Sequence, residues 1–387
     1  MSGRDPQYAG TMTFAPDGTL FVGDNTTGTI HAFDIGSGEA ASASAAVEVD
    51  HIDHRVAEAL GVAAPDVTVN GMAVHPVTQA VYLSVSRRHD LGMVAAVVAV
   101  DGHGALTALD LSSIKSSSYQ IQNLPDGQQQ FRSRAGDWPV PAAHKYDAKA
   151  QLPMRALSIV AMVFHAGELF VSGISNEEFS STLRRVAYPF TGVESEARIR
   201  IYHTAHGRYE TRAPIRAMQI VTVDEQPTVV AAYTCSPLVL IPVAELRDGA
   251  EVTGRTIGDM GNGQPLNMVA YSWQGQACLF VTNAARGPQV IPLAGLHGAT
   301  AYTPGNVPAL RLLDLSPEMP LGPVGKTVMF VGSALYVALL NERFFVAVVR
   351  DARSGDLNLE SLPTGPLPMK LDQIWSEFDF PDPPAQA

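Results

Sequence analysis

The sequence predicts an all-β fold, a six-bladed β-propeller with four-stranded blades and one long polar insertion. Three observations carry that reading. A strand–turn–strand unit recurs six times, a methionine recurs at one register of that unit, and the composition suits short strands joined by tight turns. Gly (33) and Pro (27) are frequent among 387 residues, while hydrophobic residues make up 46% and charged residues 17%. That is ample apolar surface for a large core, punctuated by turn formers.

The first unit, Thr11 to Asn25, places Pro16-Asp17-Gly18 as a turn between two apolar runs. The second runs from Gly71 to Arg87, the third from Ala161 to Asn176 and the fourth from Ala217 to Cys235. The fifth spans Asn267 to Arg286. The sixth spans Val328 to Arg343, with Met329 on its first strand and Asn341 just past its second. Further strand candidates follow, such as those starting at Thr29, Gln289 and Phe344. Two strands of each unit are nearly continuous apolar runs, the pattern of strands covered on both faces. A period of roughly 40–60 residues points to a propeller rather than a sandwich, with a solenoid as the alternative.

Two segments interrupt this rhythm. His51 to Gly61 has helical spacing and is expected to bridge the first two units. Ser112 to Pro153 is polar and reads as an excursion across one face. A single domain over 1–387 is expected, with this insertion (112–153) and a loose acidic tail (372–387).

Charge and composition exclude several classes. A net charge of −12 and the absence of a Lys/Arg run argue against nucleic-acid binding. No apolar stretch reaches the roughly 18 residues of a membrane span. The N-terminus lacks the apolar core of a signal peptide, so cytoplasmic residence is expected, or a periplasmic or secreted one if a signal was removed. Cys235 and Cys278 are too few for a disulfide scaffold. Cys278 falls within a strand, while Cys235 is either a mouth-loop thiol or a packed small residue.

The methionine register comprises Met12, Met72, Met162, Met218, Met268 and Met329. One reading is packing between blades, because an unbranched thioether fills irregular gaps. The other is a thioether-lined channel for a soft metal such as Cu(I), or for an apolar ligand.

In a propeller, the loops after second strands and before first strands gather around one channel mouth. Here they carry Asn176, Glu177, Glu178, Tyr233, Asn283, Arg212 and Asn267, whereas His75 and His165 fall at the opposite turns and are expected on the surface. The densest stretch, Ile201 to Arg216, carries His203, His206, Arg208, Glu210 and Arg212. Two imidazoles with a carboxylate suit a divalent metal, and Glu177 or Glu178 is the expected completing ligand. A hydrogen-bonded loop and a metal-free acid–base histidine are the alternatives. Arg87, Arg155, Arg212, Arg216, Arg286 and Arg343 either converge on a positive mouth that takes an anionic ligand or pair with local carboxylates. Gly258 to Pro265 lacks the context of a phosphate loop, and no Gly-x-Ser-x-Gly elbow exists.

The stretch from Phe14 to Asp34, FAPDGTLFVGDNTTGTIHAFD, resembles blades of NHL and gluconolactonase-like propellers. The stretches around Asn176 and His206 look similar to uncharacterised bacterial propeller proteins. The resemblance implies a divalent cation at the channel mouth and hydrolysis of a lactone polarised by it. Asn176, Glu177, Asn267 and Asn283 are of the right type, although the metal-binding Glu near the first blade has no counterpart here.

These readings combine into an expected small-molecule-binding propeller, metal-assisted, with lactone or ester hydrolysis as its reaction. His203, His206 and Glu177 are the expected catalytic residues, and His203, His206, Glu177 and Asn176 the metal ligands. Asn267, Asn283, Arg212, Arg286 and Tyr233 are the expected substrate contacts, with an anionic small molecule as the partner. A non-catalytic scaffold that docks another protein is the alternative, and copper handling by the six methionines a second.

Overall fold

The protein, described by a computed structural model, is defined over residues 5–41, 45–89, 92–129, 153–234, 237–260, 264–284, 287–307, 322–323, 333–351 and 353–365. Cys235, Arg286, Met329, the 130–152 part of the insertion and the acidic tail lie outside these residues.

The chain is an all-β propeller. In the first blade β1 (Met12–Phe14), β2 (Thr19–Asp24) and β3 (Thr29–Asp34) form an antiparallel meander. A helix, α1 (Ile52–Leu60), follows, ended by Gly61 at φ 67°. This left-handed cap is a conformation glycine adopts without steric cost. The second blade is β4 (Val67–Val74), β5 (Val81–His89), β6 (Gly92–Val100) and β7 (Leu106–Ala108).

The chain then returns to the first blade, where β8 (Ser116–Gln120) pairs antiparallel with β3 as its fourth strand. Thus the start of the polar insertion is a blade strand rather than an excursion. The third blade holds β9 (Ala161–His165), β10 (Glu168–Ile174), β11 (Ser181–Ala187) and β12 (Glu194–His203), with β13 (Arg208–Glu210) paired to β12. The fourth holds β14 (Ile215–Val223), β15 (Gln226–Tyr233), β16 (Pro237–Pro242) and β17 (Glu251–Asp259). Parallel pairing of β12 with β17 joins these two blades at their outer edges.

The fifth blade is β18 (Pro265–Trp273), β19 (Gln276–Asn283) and β20 (Gln289–Pro292). The sixth is β21 (Ser333–Leu339), β22 (Phe344–Arg350) and β23 (Leu357–Pro363). Its inner strand is therefore the segment that the sequence pattern assigns as second. The reason is local: Asn341 Oδ1 accepts the backbone N–H groups of Arg343 and Phe344 at 3.0 and 3.1 Å, which closes a turn between the two apolar runs. Val49 bridges Leu359 of β23, so the segment after the first blade covers the outer edge of the sixth.

Six side chains, one from each blade, reach a backbone carbonyl of the next and define the ring. Asn25 Nδ2 donates to Ile159 O at 3.1 Å, Ser172 Oγ to Ile215 O at 2.9 Å and Gln219 Nε2 to Met268 O at 2.9 Å. Asn267 Nδ2 donates to Leu335 O at 3.1 Å, Tyr336 Oη to Val69 O at 3.2 Å and Ser84 Oγ to Gly10 O at 2.6 Å. The spatial order is thus first, third, fourth, fifth, sixth, second and back to the first. The second blade sits between the sixth and the first, out of chain order. For that reason α1 packs against β4, β7 and β23 and bridges the second and sixth blades, not the first two.

The methionines follow the same order. Met12 shares an apolar cluster with Tyr82 of the second blade, and Met162 with Phe21 of the first. Met218 packs with Phe170 of the third, Met268 with Val230 of the fourth, and Met72 against Tyr336 of the sixth. Each thioether fills the seam to the preceding blade, where shape is irregular and an unbranched chain adapts. In the sixth blade this register position is Val337, which packs with Val269 of the fifth.

Candidate functional site

The inner strands enclose a central cavity of about 690 Å³. Four of them carry a β-bulge at one equivalent position: Asn70 in β4, Arg216 in β14, Leu266 in β18 and Leu335 in β21. A bulge inserts one unpaired residue and re-aims its side chain. All four bulged residues line the cavity. Met12, Met72, Met162, Met218 and Met268 also border it, together with Phe14 and Phe164, in a wall that is mixed polar and apolar.

Arg216 is the one charged side chain among the described lining residues. It makes no ion pair or hydrogen bond with the described residues, and its Nε is buried without a partner. Burial pushes its pKa down from the usual guanidinium value. Nearby amides are tied up as inter-blade straps. Asn267, expected to orient substrate, instead spends its amide N–H groups on Leu335 O and, at 3.3 Å, on Thr282 Oγ1.

A second polar cluster lies on the outer edge of the third blade. The β12–β13 hairpin turns at Gly207 (φ 63°) and folds His203, His206 and Glu210 together. His203 Nδ1 lies 2.7 Å from Glu210 Oε2 and His206 Nδ1 2.8 Å from Oε1, while Arg208 Nε donates to Oε1 at 3.0 Å. Burial pushes the Glu210 carboxyl up, but the hydrogen bonds from His203, His206 and Arg208 outweigh it and hold the pKa at about 2. His203 is buried and His206 exposed. None of the three borders the central cavity.

Other expected site residues lie elsewhere. Glu177 accepts from Arg198 Nη1 and Asn123 Nδ2, both at 3.1 Å, and so joins a surface ion-pair network rather than the two histidines. Asn176 bonds through its backbone N–H to Asn123 O. Arg212 pairs with Glu178 at 2.7 Å on the surface. Tyr233 is fully buried in the core between the third and fourth blades, where burial raises its pKa and no ligand reaches it. Asn283 ends β19 opposite Pro265, outside the cavity lining.

The described arginines of that set do not converge. Arg87 bonds Leu60 O and Arg155 bonds Pro125 O, each holding local backbone, while Arg343 lies over the Phe344 ring. Of the described members of that set, only Arg216 lines the cavity. His75 is buried rather than at the surface. Its Nδ1 accepts from the N–H groups of Val77 and Thr78, so its Nε2–H donates to Gly36 O at 2.9 Å. Among the described residues no helix is long and apolar enough to cross a membrane.

Neither a protein-family model nor a curated sequence matches this chain. Solved structures similar to it include the "Crystal Structure of Mitotic Checkpoint Complex", at 10% identity and TM-score 0.34, covering 94% of this chain and 92% of that one. "Structure of the PQQ-bound form of Aldose Sugar Dehydrogenase (Adh) from Streptomyces coelicolor" matches at 13% identity and TM-score 0.33, covering 93% and 95%. "Structure of U3-55K" matches at 10% identity and TM-score 0.36, covering 93% and 97%. At these values the likenesses carry no functional argument, and the propeller assignment rests on the ring of blades.

Proposed function

We propose that the protein binds a small anionic organic molecule in its central cavity, with Arg216 taking the anionic group. The observation that supports this reading is the unpaired guanidinium itself. A cation withdrawn from water is costly unless a partner compensates it. Arg216 is half-buried with its Nε shut off from partners, and the described residues of the wall include no carboxylate, so the partner is expected from solution. A carboxylate or phosphate would meet the guanidinium in charge-assisted, bidentate hydrogen bonds. Phe14 and Phe164 in the wall offer apolar contact for the body of such a ligand.

Lactone or ester hydrolysis through His203 and His206 would need those groups beside the substrate contacts. They stand instead on the outer edge of a blade, away from Asn267 and Arg216, which favours binding over catalysis by that set. The copper reading is likewise disfavoured, because the methionines serve as packing in the seams.

Thermal-shift measurements with organic carboxylates, phosphate esters and their neutral amide or alcohol analogues test the proposal. Anionic compounds should raise the melting temperature of the wild type and not of Arg216→Met. Equal stabilisation of both proteins, or stabilisation by the neutral analogues alone, would contradict it.

A further inference from the structure

We infer that His203, His206 and Glu210 form a divalent transition-metal site on the β12–β13 hairpin, separate from the cavity. One ligand atom from each of the three residues lies within 4.8 Å of the other two. The two imidazole Nδ1 atoms sit 2.7 and 2.8 Å from opposite oxygens of one carboxylate, so the three side chains are already gathered around one spot. The imidazole rings lie with centroids 3.8 Å apart. Both are held on one short turn by Gly207, whose left-handed backbone (φ 63°) closes the hairpin.

The donor set decides the class of ion. Two imidazoles and one carboxylate suit Zn(II), Co(II), Ni(II) or Cu(II), whereas Mg(II) and Ca(II) prefer all-oxygen shells. Three protein ligands leave a fourth tetrahedral position for water. Arg208, 3.0 Å from Glu210 Oε1, orients the carboxylate from outside the ligand set.

Binding requires each Nδ1 to present its lone pair, which moves the ring proton to Nε2. For His203 the moved proton would sit on Nε2, a buried atom without a partner, so binding there carries the cost of an unsatisfied N–H.

A second group of possible ligands, Asp53, His54 and Asp356, is a weaker candidate and serves as the control. It offers one imidazole, and Asp356 is shared with His51 at 2.9 Å.

The test is titration of the metal-free protein with Co(II), followed by its visible d–d absorption, and with Zn(II) by calorimetry at pH 7.5. Wild type should bind one equivalent at this site. The exposed His206→Ala change and Glu210→Gln should each weaken it by about tenfold or more, with circular dichroism unchanged, and His54→Ala should leave it intact. The inference is overturned if wild type gives no d–d bands, if His206→Ala binds as wild type does, or if His54→Ala abolishes binding. Cavity binding stands on Arg216, so either result here leaves that proposal untouched.

Discussion

Substituting Arg184 by Met breaks a charge network that fixes the outer half of the third blade. Arg184 lies on β11 with its side chain fully buried. Its Nε is 3.1 Å from Glu194 Oε1 and its Nη2 2.8 Å from Glu196 Oε2, both on β12. Nη2 also donates to Ile174 O at 3.3 Å. Methionine keeps the volume but leaves two carboxylates uncompensated. Removing one partner of a buried ion pair costs about 3–5 kcal/mol. With an unfolding entropy of about 2.1 cal/mol/K per residue, cooperative unfolding of the chain carries about 0.8 kcal/mol/K, so the melting temperature should fall by about 4–6 °C.

The sign of the pH dependence follows from the same geometry. Burial already raises the Glu194 pKa, and the Arg184 charge opposes that rise. Without the arginine, the folded state holds the Glu194 proton more tightly than the unfolded chain does. A raised folded pKa means that stability is lost as pH climbs through the window above the ordinary carboxylate value. The deficit of Arg184→Met should therefore be larger at pH 7.5 than at pH 4.5. Differential scanning calorimetry at both values measures it. A melting temperature within about 1 °C of wild type, or a deficit that does not change with pH, would refute the account of this network.

Three further outcomes are expected. Met218→Ala empties an inter-blade seam where the side chain is 3% exposed, and should cost about 2–5 kcal/mol in urea denaturation, against less than about 1.5 for Met218→Leu. Gly173→Ala would place a Cβ 1.9 Å from Ser158 O and should cost about 1–3 kcal/mol or more, whereas Gly102→Ala, which meets nothing within 4 Å, should change stability by less than about 0.5. Glu210 has its pKa depressed to about 2. It contributes stability above the unfolded value of about 4.3 that is lost as pH falls toward 2, so stability in Glu210→Gln should fall less over that window.

The repeat was legible because its cause is local. Each inner hairpin carries turn formers between apolar runs, and the methionine register marked five inner strands at their observed positions. The sixth blade was misread because Val328–Val331 and Ser333–Leu339 are both apolar, and only the Asn341 turn decides which run pairs with β22. The blade order was not legible at all. It depends on long-range contacts such as Val49 with Leu359 and β8 with β3, which leave no periodic trace.

Site residues divide in the same way. His203 and His206 drew attention through their spacing, but the carboxylate that meets them is Glu210, across the Gly207 turn, and not Glu177. The hairpin register, His203 opposite Arg208 and Ile201 opposite Glu210, settles this. Arg216 was one of six loop arginines in the sequence. What separates it is a single-residue bulge between Ile215 and Ala217, a feature without a signature of its own.

The central claim is that Arg216 is the anion-recognising group of the cavity. Its most direct test is calorimetric titration of the best anionic ligand from the thermal-shift series into wild type, Arg216→Lys and Arg216→Met. A charge-assisted hydrogen-bonded contact is worth about 1.5–3 kcal/mol, so Arg216→Met should bind about tenfold to a hundredfold more weakly. Arg216→Lys should fall between the two, because it keeps the charge and loses the planar fork. Equal affinity across the three proteins would contradict the claim and place the ligand elsewhere.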